Sequence, residues 1–391
     1  MTTTSRIHYM DNLRALAMLA GVVFHAALAY SPLIRPYWPP ADAAGSAAVD
    51  VAAWWLHAFR MPLFFVVAGF FSALLVQRRG LAGLFRTRLV RVLLPLLAGV
   101  PLVVLGMHRL TVYAATTVQH PSPVLAWLRD YAATQGSVPL IPSLAHLWFL
   151  AYLMLFTLLV WVVAAIEPQR AYARLRALPV SWPTVLVAPL LLAPALAMTT
   201  NPWPAPEALL PQLWAVAYFG AYFALGYHLY LQPALIDGLR RFGPLLLVGA
   251  LVAYAASPWV LGTPRPVPAG WATRGLDAVL QACAGLWMTL CCLIAGRAWL
   301  DTSNRVMRWF ADAAYWVYLV HLPVLFAIQY RLLDVALPWP AKFALATTLT
   351  LVVSLASYQL LVRHTVLGRW LNGRRPGRTP AHATQAAMPT D

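Results

Sequence analysis

Long apolar stretches recur along the whole chain, and short segments rich in arginine, proline or tryptophan separate them. Most stretches have about 17 to 25 residues, the length that an α-helix needs to cross roughly 30 Å of hydrocarbon. Ten stretches can be distinguished, but the fifth and seventh are short and contain proline, so nine or eleven remain alternatives. Their ranges are 13–30, 50–76, 89–107, 144–166, 182–198, 212–231, 243–260, 273–297, 309–330 and 341–363. The pattern predicts an all-α, polytopic integral membrane protein with about ten transmembrane helices.

The composition favours the same fold class. Apolar residues make up 61% of the 391 residues and charged residues only 10%, whereas about a quarter of the residues in soluble domains are charged. No clear small-residue cleavage site follows the first apolar stretch, so we expect it to be helix one rather than a cleaved signal. The three cysteines, Cys283, Cys291 and Cys292, lie in the eighth stretch and are expected to be small core residues.

Basic residues are distributed unevenly between alternate loops. With a cytoplasmic N-terminus, 19 of them fall in loops on the cytoplasmic side and seven on the opposite side. Because cytoplasmic loops carry the excess of Lys and Arg, both termini are predicted to be cytoplasmic. This topology accounts for the net charge of +16, so the expected partner of that charge is the lipid bilayer and not a nucleic acid.

The chain is expected to form one membrane domain, residues 1–367, followed by a basic, disordered cytoplasmic tail, residues 368–391. No tandem repeat and no soluble domain is visible in the sequence. Loops around Trp203 and Trp339 are rich in Pro and Trp, which favours aromatic residues at the membrane interface over sugar stacking.

Ionisable residues interrupt three of the apolar stretches at similar depths. His25 lies in the first, roughly 18 Å from its inner edge, and Asp11 and Arg14 share its helical face. Arg60, with His57 three residues before it, lies in the second, and His321 lies in the ninth. Such residues inside a membrane must pair or line a water-filled cavity, so we expect a central polar cavity.

These residues also have other interpretations. A lone buried histidine is often structural, but three ionisable residues at one depth make that explanation less favourable. Histidine is also a common metal ligand, yet no His-x-x-x-His or Glu-x-x-His spacing supports a site, so no metal is expected. On the inner side, Arg88 and Arg91 are three residues apart at the start of a helix, a spacing that suits binding of phosphate groups.

Five motifs, taken in order, resemble the membrane acyltransferase-3 family over residues 9–363. They are YMDNLRA at 9–15 with His25, HAFRMPLFF at 57–65 with AGFF at 68–71, RLVR at 88–91 with Pro95, HLWFL at 146–150, and YLVHLP at 318–323. Within the family, HAFRMPLFF and HLWFL look most like the glucans biosynthesis protein C branch. Ala68 departs from the pattern, because a serine is common before that glycine.

The resemblance implies a ten-helix enzyme of the bacterial inner membrane that takes acyl groups from cytoplasmic acyl-CoA and delivers them to a hydroxyl outside. The branch implies succinyl-CoA as the donor and a periplasmic glucan as the acceptor. Other branches acylate lipopolysaccharide or peptidoglycan, so another envelope glycan remains an alternative. A transporter and a packing scaffold are the alternatives from other classes, but no internal repeat favours a transporter.

Roles for the site residues follow from the resemblance and from acyl-transfer chemistry. His25 is the candidate general base, and an acyl-histidine is the alternative. Arg60 or His321 is expected to stabilise the oxyanion, and Asp11 to orient Arg14. Arg14, Arg88 and Arg91 are expected to bind the phosphates of CoA. The candidates for substrate binding are His57, His146, Trp148 and Tyr318, and Arg60 with His57 suits the free carboxylate of a dicarboxylic acyl group.

Overall fold

A computed structural model of the protein describes residues 7–166, 181–200, 202–257, 270–302 and 304–372. Within these ranges the chain is helical and contains no β-strand. The helices are α1 His8–Leu28, α2 Ala47–Arg88, α3 Leu94–Thr117, α4 Pro123–Gln135, α5 Trp148–Ile166, α6 Trp182–Ala197, α7 Leu213–Leu231, α8 Ala234–Leu239, α9 Gly243–Ala255, α10 Trp271–Trp299, α11 Arg305–Leu332, α12 Trp339–Ser357 and α13 Val366–Asn372. The predicted all-α class is confirmed for these residues.

Each of the ten predicted apolar stretches coincides with a helix of the described chain. Six helical segments in this part of the chain are long and apolar enough to cross a membrane. They are His8–Leu28, Ala47–Thr117, Ala145–Ile166, Trp271–Trp299, Arg305–Leu332 and Trp339–Val362. Trp182–Ala197 is apolar but shorter. The count of ten crossings and the cytoplasmic location of both termini therefore remain predictions.

Helices α1, α2 and α11 form the part of the bundle that carries the predicted site. The Arg14 side chain reaches the carbonyl of Ala311, and Gln329 donates a hydrogen bond to the carbonyl of Ala26, so α1 and α11 run in the same direction. Phe24 packs on Trp54 near the start of α2, and Arg14 lies over Phe71 further along it. Helix α2 is therefore antiparallel to α1.

Helices α2 and α7 approach so closely that their backbones touch. A Cβ at Gly69 would lie 1.9 Å from the carbonyl oxygen of Phe223, and one at Gly226 would lie 1.9 Å from that of Val66. Glycine at both positions removes this obstacle, as at many helix crossings in membranes. The contact holds α2, which carries Arg60, against the largest apolar core of the protein.

Two local departures from α-helical geometry occur in the chain that leads to α3, one inside α2 and one just after it. Gly80 has φ 68° and ψ 178°, which breaks the regular course of α2 eight residues before its end. Leu89–Leu93 then form a π-helix that contains Arg91. Wider helical turns of this kind occur mainly as short insertions and often at functional sites.

The loop between α1 and α2, residues 29–46, is tied to three other elements. Lys342 of α12 forms a buried ion pair with Asp42, with 2.7 Å between Nζ and Oδ2. The Ser122 hydroxyl donates to the carbonyl of Pro39 at 2.6 Å, and the Ser31 hydroxyl donates to the Asp50 carboxylate. This α1–α2 loop is therefore a fixed part of the fold.

Two expectations about the remaining segments can be compared with the structure. Helix α13 continues across residue 368, where the tail was expected to begin. Residues 373–391 lie outside the described residues, as do residues 170–176, whose three arginines count among the basic residues of the predicted cytoplasmic loops. The division into domain and tail stays a prediction. Trp203 lies in the protein interior, only 1% exposed and packed on Phe219, and its expected depth at the membrane interface stays a prediction.

Candidate functional site

A cavity of about 780 Å³ lies among α1, α2 and α11. At one end its wall carries five arginines, which we call the arginine end: Arg14, Arg78, Arg79, Arg88 and Arg91. At the other end the wall is aromatic, and we call it the tryptophan end: Tyr37, Trp38 and Trp54. His25, Arg60 and His321 lie on the wall between these ends, so the structure brings the three predicted ionisable residues together.

His25 lies near the end of α1 and not near its middle. Helix α1 begins at His8, five residues before the predicted start, and ends at Leu28, so His25 is only three residues from its last residue. The predicted depth was counted from residue 13, but the polar turn with Asp11 and Arg14 is already helical, so His25 lies further from the start of α1 than that count. His25 therefore faces the cavity close to the tryptophan end.

His25 and His321 form a hydrogen-bonded pair. The Nδ1 atom of His25 lies 2.9 Å from the Nε2 atom of His321, and the two ring centroids are 5.1 Å apart. The other nitrogen of His321, Nδ1, faces two backbone carbonyl oxygens, those of Tyr318 at 2.8 Å and Val317 at 3.1 Å. Both nitrogens of His321 are thus engaged within the protein.

These partners assign the tautomers of the pair. A carbonyl oxygen can only accept, so the Nδ1 atom of His321 must carry the proton. A neutral imidazole has a single N–H, and the Nε2 atom of His321 is therefore the acceptor for the N–H at Nδ1 of His25. The lone pair of His25 is then on Nε2. A histidine whose second nitrogen is fixed by a partner in this way has a defined base atom.

The side chain of Arg60, which belongs to α2, lies against α1 beside Gly21, one turn of α1 before His25. Its guanidinium carbon is 4.8 Å from the centre of the Phe24 ring, and its Nη1 atom would be only 2.6 Å from a Cβ at Gly21. The side chain is 6% exposed, and its Nε–H has no hydrogen-bond partner among the described residues. Glycine at position 21 is what gives the cation room beside α1.

His57 and His146 each donate a hydrogen bond to a carbonyl oxygen. The Nε2 atom of His57 lies 3.1 Å from the carbonyl oxygen of Trp203, and that of His146 lies 3.0 Å from the carbonyl oxygen of Tyr318. Each Nδ1 atom is buried without a partner in the described chain, which leaves a lone pair there. A neutral His57 has no second N–H for a carboxylate, and this argues against its predicted role with Arg60.

A reciprocal contact fixes the segment before α5 to α11. The Tyr318 hydroxyl donates to the carbonyl of His146 at 2.8 Å, while His146 donates to the carbonyl of Tyr318. His146 belongs to a 3₁₀ turn, Ala145–Leu147, that starts at a residue with φ of 45°, in the left-handed region. Trp148 follows and is buried against Phe219. All four predicted substrate-binding residues line the cavity.

The arginine end is organised by contacts that the sequence predicted only in part. Asp11 and Arg14 form the expected ion pair at 3.3 Å. Arg88 donates to the hydroxyl of Ser72 at 2.8 Å and to the carbonyl of Ala68 at 3.4 Å. Ser72 thus supplies a hydroxyl one turn after Ala68, the position where the family pattern often has a serine. The sequence signal that could have identified Ser72 is its position four residues after Ala68, which places both residues on the same face of α2.

The carbonyl oxygen of Arg91 accepts a hydrogen bond from the Tyr315 hydroxyl at 2.7 Å, which links the π-helix to α11. Tyr315 was not among the predicted site residues, although it lies one turn before Tyr318 on the same face. Arg86, a member of the same arginine-rich segment, is exposed and does not line the cavity. The segment therefore contains arginines with different surroundings.

Glu207 is a further cavity residue, and no motif in the sequence pointed to it. It lies in the segment between α6 and α7, outside the membrane-spanning helices. Its side chain is accessible to solvent, yet desolvation by the surrounding protein raises its pKa to about 7. Among the residues that the structure describes, no group of three or more His, Cys, Asp or Glu side chains could hold a metal ion.

Comparison with known proteins identifies the family of the chain. The profile of a family described as "Acyltransferase domain" matches residues 7–359, which is nearly the whole chain. The chain belongs to this acyltransferase family. Its predicted membership is thereby confirmed, and the apolar helices together with the family make it a multi-pass membrane acyltransferase.

Two curated relatives share the same name. Glucans biosynthesis protein C of Salmonella typhimurium is 24% identical over 397 residues, covering 97% of this chain and 98% of its own length. The protein of that name from Salmonella typhi is 26% identical over 337 residues, covering 82% of each chain. No solved structure matches the chain.

Proposed function

We propose that this acyltransferase moves a succinyl group from cytoplasmic succinyl-CoA to a hydroxyl group of a periplasmic glucan. The observation that carries the proposal is a single cavity with five arginines at one end, aromatic residues at the other, and the His25–His321 pair between them. The names of the relatives support the glucan acceptor. The succinyl group rests on the sequence resemblance described above.

The arginine end suits the phosphate groups of CoA. Guanidinium groups bind phosphate oxygens with paired hydrogen bonds, and several lie here at one mouth of the cavity. Arg14, Arg88 and Arg91 are the residues assigned to this role, with Asp11 orienting Arg14 through their ion pair. The excess of arginine in this part of the chain favours a cytoplasmic location for this end, where acyl-CoA is present.

His25 acts as the general base through its Nε2 atom. Its lone pair faces the cavity because Nδ1 is held by His321. Since His321 uses both nitrogens inside the protein, we assign it to positioning and not to the oxyanion. When His25 takes up a proton, the lone pair of His321 continues to accept the N–H of His25 and stabilises the imidazolium.

Arg60 stabilises the oxyanion. It lies beside Gly21, one turn of α1 from His25 toward the arginine end, and its Nε–H has no protein partner in the described chain. A fixed donor at the position where negative charge develops contributes more than a mobile one, because it does not have to reorganise during the reaction.

The bonds change in two steps. The acceptor hydroxyl loses its proton to the Nε2 atom of His25 while its oxygen forms a bond to the thioester carbonyl carbon, which gives a tetrahedral oxyanion beside Arg60. The C–S bond then breaks, the carbonyl re-forms, and the sulfur of CoA takes the proton back from His25. Imidazole suits both transfers at neutral pH.

The experiment that tests the proposal measures the acyl groups of periplasmic glucans by mass spectrometry. Cells lacking the protein are complemented with the wild type, with His25→Ala, or with His108→Ala as a control. His108 lies in α3 and does not line the cavity. We expect a succinyl mass with the wild type and the control but not with His25→Ala. Unchanged glucans in cells lacking the protein would refute the glucan acceptor.

The positioning role of His321 has its own test. A glutamine can accept the hydrogen bond from His25 through its side-chain oxygen, whereas leucine cannot. We expect His321→Leu to lower turnover by about 100-fold, and His321→Gln to restore at least part of it. Equal losses in both variants would contradict the role.

A further inference from the structure

Unused hydrogen-bonding groups are concentrated at the tryptophan end of the cavity. The indole N–H groups of Trp38 and Trp54 are buried and have no partner among the residues that the structure describes. The Nδ1 atom of His57 is also buried without a partner there, and its Nε2 atom already donates to Trp203. All three residues line the same cavity, and two donors and one acceptor beside it therefore lack a partner in the described chain.

These groups lie directly beside the proposed base. The ring of Trp38 is nearly parallel to that of His25, with an interplanar angle of 6° and 6.4 Å between centroids. Trp54 meets the His57 ring at 85° with a centroid distance of 5.0 Å, and Phe24 packs against both. A molecule bound to them would place its polar groups within reach of His25.

The arrangement is built into the fold. Trp38 belongs to the α1–α2 loop, which the buried ion pair of Asp42 with Lys342 and the hydrogen bond from Ser122 to Pro39 hold in place. Trp54 is 7% exposed and is fixed on α2 by Phe24. The open donors therefore have defined positions before any ligand arrives, which lowers the entropic cost of binding.

The chemistry of the groups selects one class of ligand. A phosphate or a carboxylate only accepts hydrogen bonds and would leave the lone pair of His57 unsatisfied. An apolar ligand would leave all three groups unsatisfied, at a cost of about 1–3 kcal/mol for each. Hydroxyl groups both donate and accept, and the apolar face of a sugar ring packs well on aromatic side chains. The set suits a sugar.

We propose that the tryptophan end is the acceptor subsite, where one sugar unit of the acceptor binds with its hydroxyls to Trp38, Trp54 and His57 and presents a further hydroxyl to His25. This inference rests on the proposed function for the identity of the sugar. It adds the location of the subsite and the residues that select a hydroxylated ring over an anion. Trp38 and Trp54 are binding residues in this account.

The test removes one donor at a time and keeps the aromatic ring. Trp54→Phe and Trp38→Phe each delete an N–H, and Trp55→Phe is the matched control, because Trp55 is the next residue of α2 but packs on Tyr254 away from the cavity. Purified protein in detergent is titrated with unacylated glucan from cells that lack the protein. Binding is measured by isothermal calorimetry without acyl donor, and KM values for glucan and succinyl-CoA are measured separately.

We expect Trp54→Phe and Trp38→Phe each to raise the glucan Kd and KM about five- to tenfold, the effect of one lost hydrogen bond. The KM for succinyl-CoA should change less than twofold, and the control should match the wild type in every value. A rise in the KM for succinyl-CoA alone, or no change in glucan binding for either folded variant, would overturn the subsite. So would the absence of glucan binding to the wild type.

Calorimetry separates this inference from the proposed function. Glucan that binds to the wild type, more weakly to Trp54→Phe, but is never acylated would refute the proposed reaction and support the subsite. The melting temperatures of Trp54→Phe and Trp38→Phe show whether each variant is folded. Only a variant with the wild-type melting temperature is used to judge glucan binding.

Discussion

The substitution Gly21→Ala tests how strictly the reaction depends on the position of Arg60. A Cβ at residue 21 would lie 2.6 Å from the Nη1 atom of Arg60, whereas unstrained contacts between such atoms are at about 3.5 Å. The guanidinium must therefore move by about 1 Å away from α1. Arg60 ends in a flexible group, so the cost falls on its position and not on the fold.

The expected effect is large on turnover and small on stability. A displacement of about 1 Å in a catalytic group can cost about 100-fold in rate, which is close to the loss of one oxyanion donor. A 100-fold loss corresponds to about 2.7 kcal/mol of transition-state stabilisation. Alanine is favoured over glycine within a helix by about 1 kcal/mol, so the melting temperature should not fall.

The assay is single-turnover transfer from labelled succinyl-CoA to unacylated glucan, with KM measured for each substrate. Gly106→Ala is the matched control, because Gly106 lies inside α3 and its Cβ would have no neighbour within 4 Å. We expect a single-turnover rate about 100-fold lower for Gly21→Ala and an unchanged rate for the control.

A double-mutant cycle shows whether the effect passes through Arg60. If it does, Gly21→Ala should add almost nothing to the loss already caused by Arg60→Gln. A folded Gly21→Ala protein with a rate within threefold of the wild type would refute the oxyanion role of Arg60. Fully additive losses would show that residue 21 acts by another route.

Three further predictions concern other parts of the molecule. Arg88→Gln should raise the KM for succinyl-CoA about tenfold, the effect of losing a charged hydrogen-bond donor, while Arg86→Gln should leave it unchanged; equal KM values for both variants would contradict phosphate binding at the arginine end. Glu207 has a pKa of about 7 in the folded protein, above the ordinary value of 4.5, so the folded state binds more protons and stability falls as pH rises through this interval. Melting temperatures of Glu207→Gln and the wild type should therefore differ more in favour of the variant at pH 8 than at pH 5. A difference that does not depend on pH would mean that the carboxyl is fully hydrated. Lys342→Met should destabilise the protein by about 3 kcal/mol, because it leaves the Asp42 carboxylate buried without its partner, and adding Asp42→Leu should recover most of this loss. Reversible unfolding in mixed detergent measures the free energy of unfolding of both variants. A cost below about 1 kcal/mol for Lys342→Met alone would show that water reaches the pair.

The elements of the fold were predictable because membrane helices are specified locally. Within a bilayer each segment must satisfy its own backbone hydrogen bonds, so apolar length alone locates the helices, and all ten predicted stretches coincide with helices. The predicted ends of the helices were less accurate than their locations. Helix α1 begins at His8 and α2 continues to Arg88, because polar residues such as Asp11 and Arg14 extend helices beyond their apolar parts.

The candidate site was predictable as a set of residue types but not as an arrangement. The motifs located His25, Arg60 and His321, since ionisable residues are costly in apolar helices and are therefore conspicuous. Trp38, Trp54 and Ser72 were missed because aromatic and hydroxyl residues are common in such helices. Their place in the proposed site depends on whether their polar atoms have hydrogen-bond partners, and this is decided by the side chains packed beside them in the folded protein.

The sequence by itself determined the helical class, the acyltransferase family and the candidate residues for the chemistry. The tertiary structure decided which nitrogen of His25 carries the lone pair, because its partner His321 lies 296 residues away in the sequence. It also decided that the guanidinium of Arg60 lies where Gly21 leaves room for it, and that the α1–α2 loop brings Trp38 next to His25. Hydropathy is a property of single segments, whereas the rotation of helices and the partners of polar atoms are fixed only when all segments pack together.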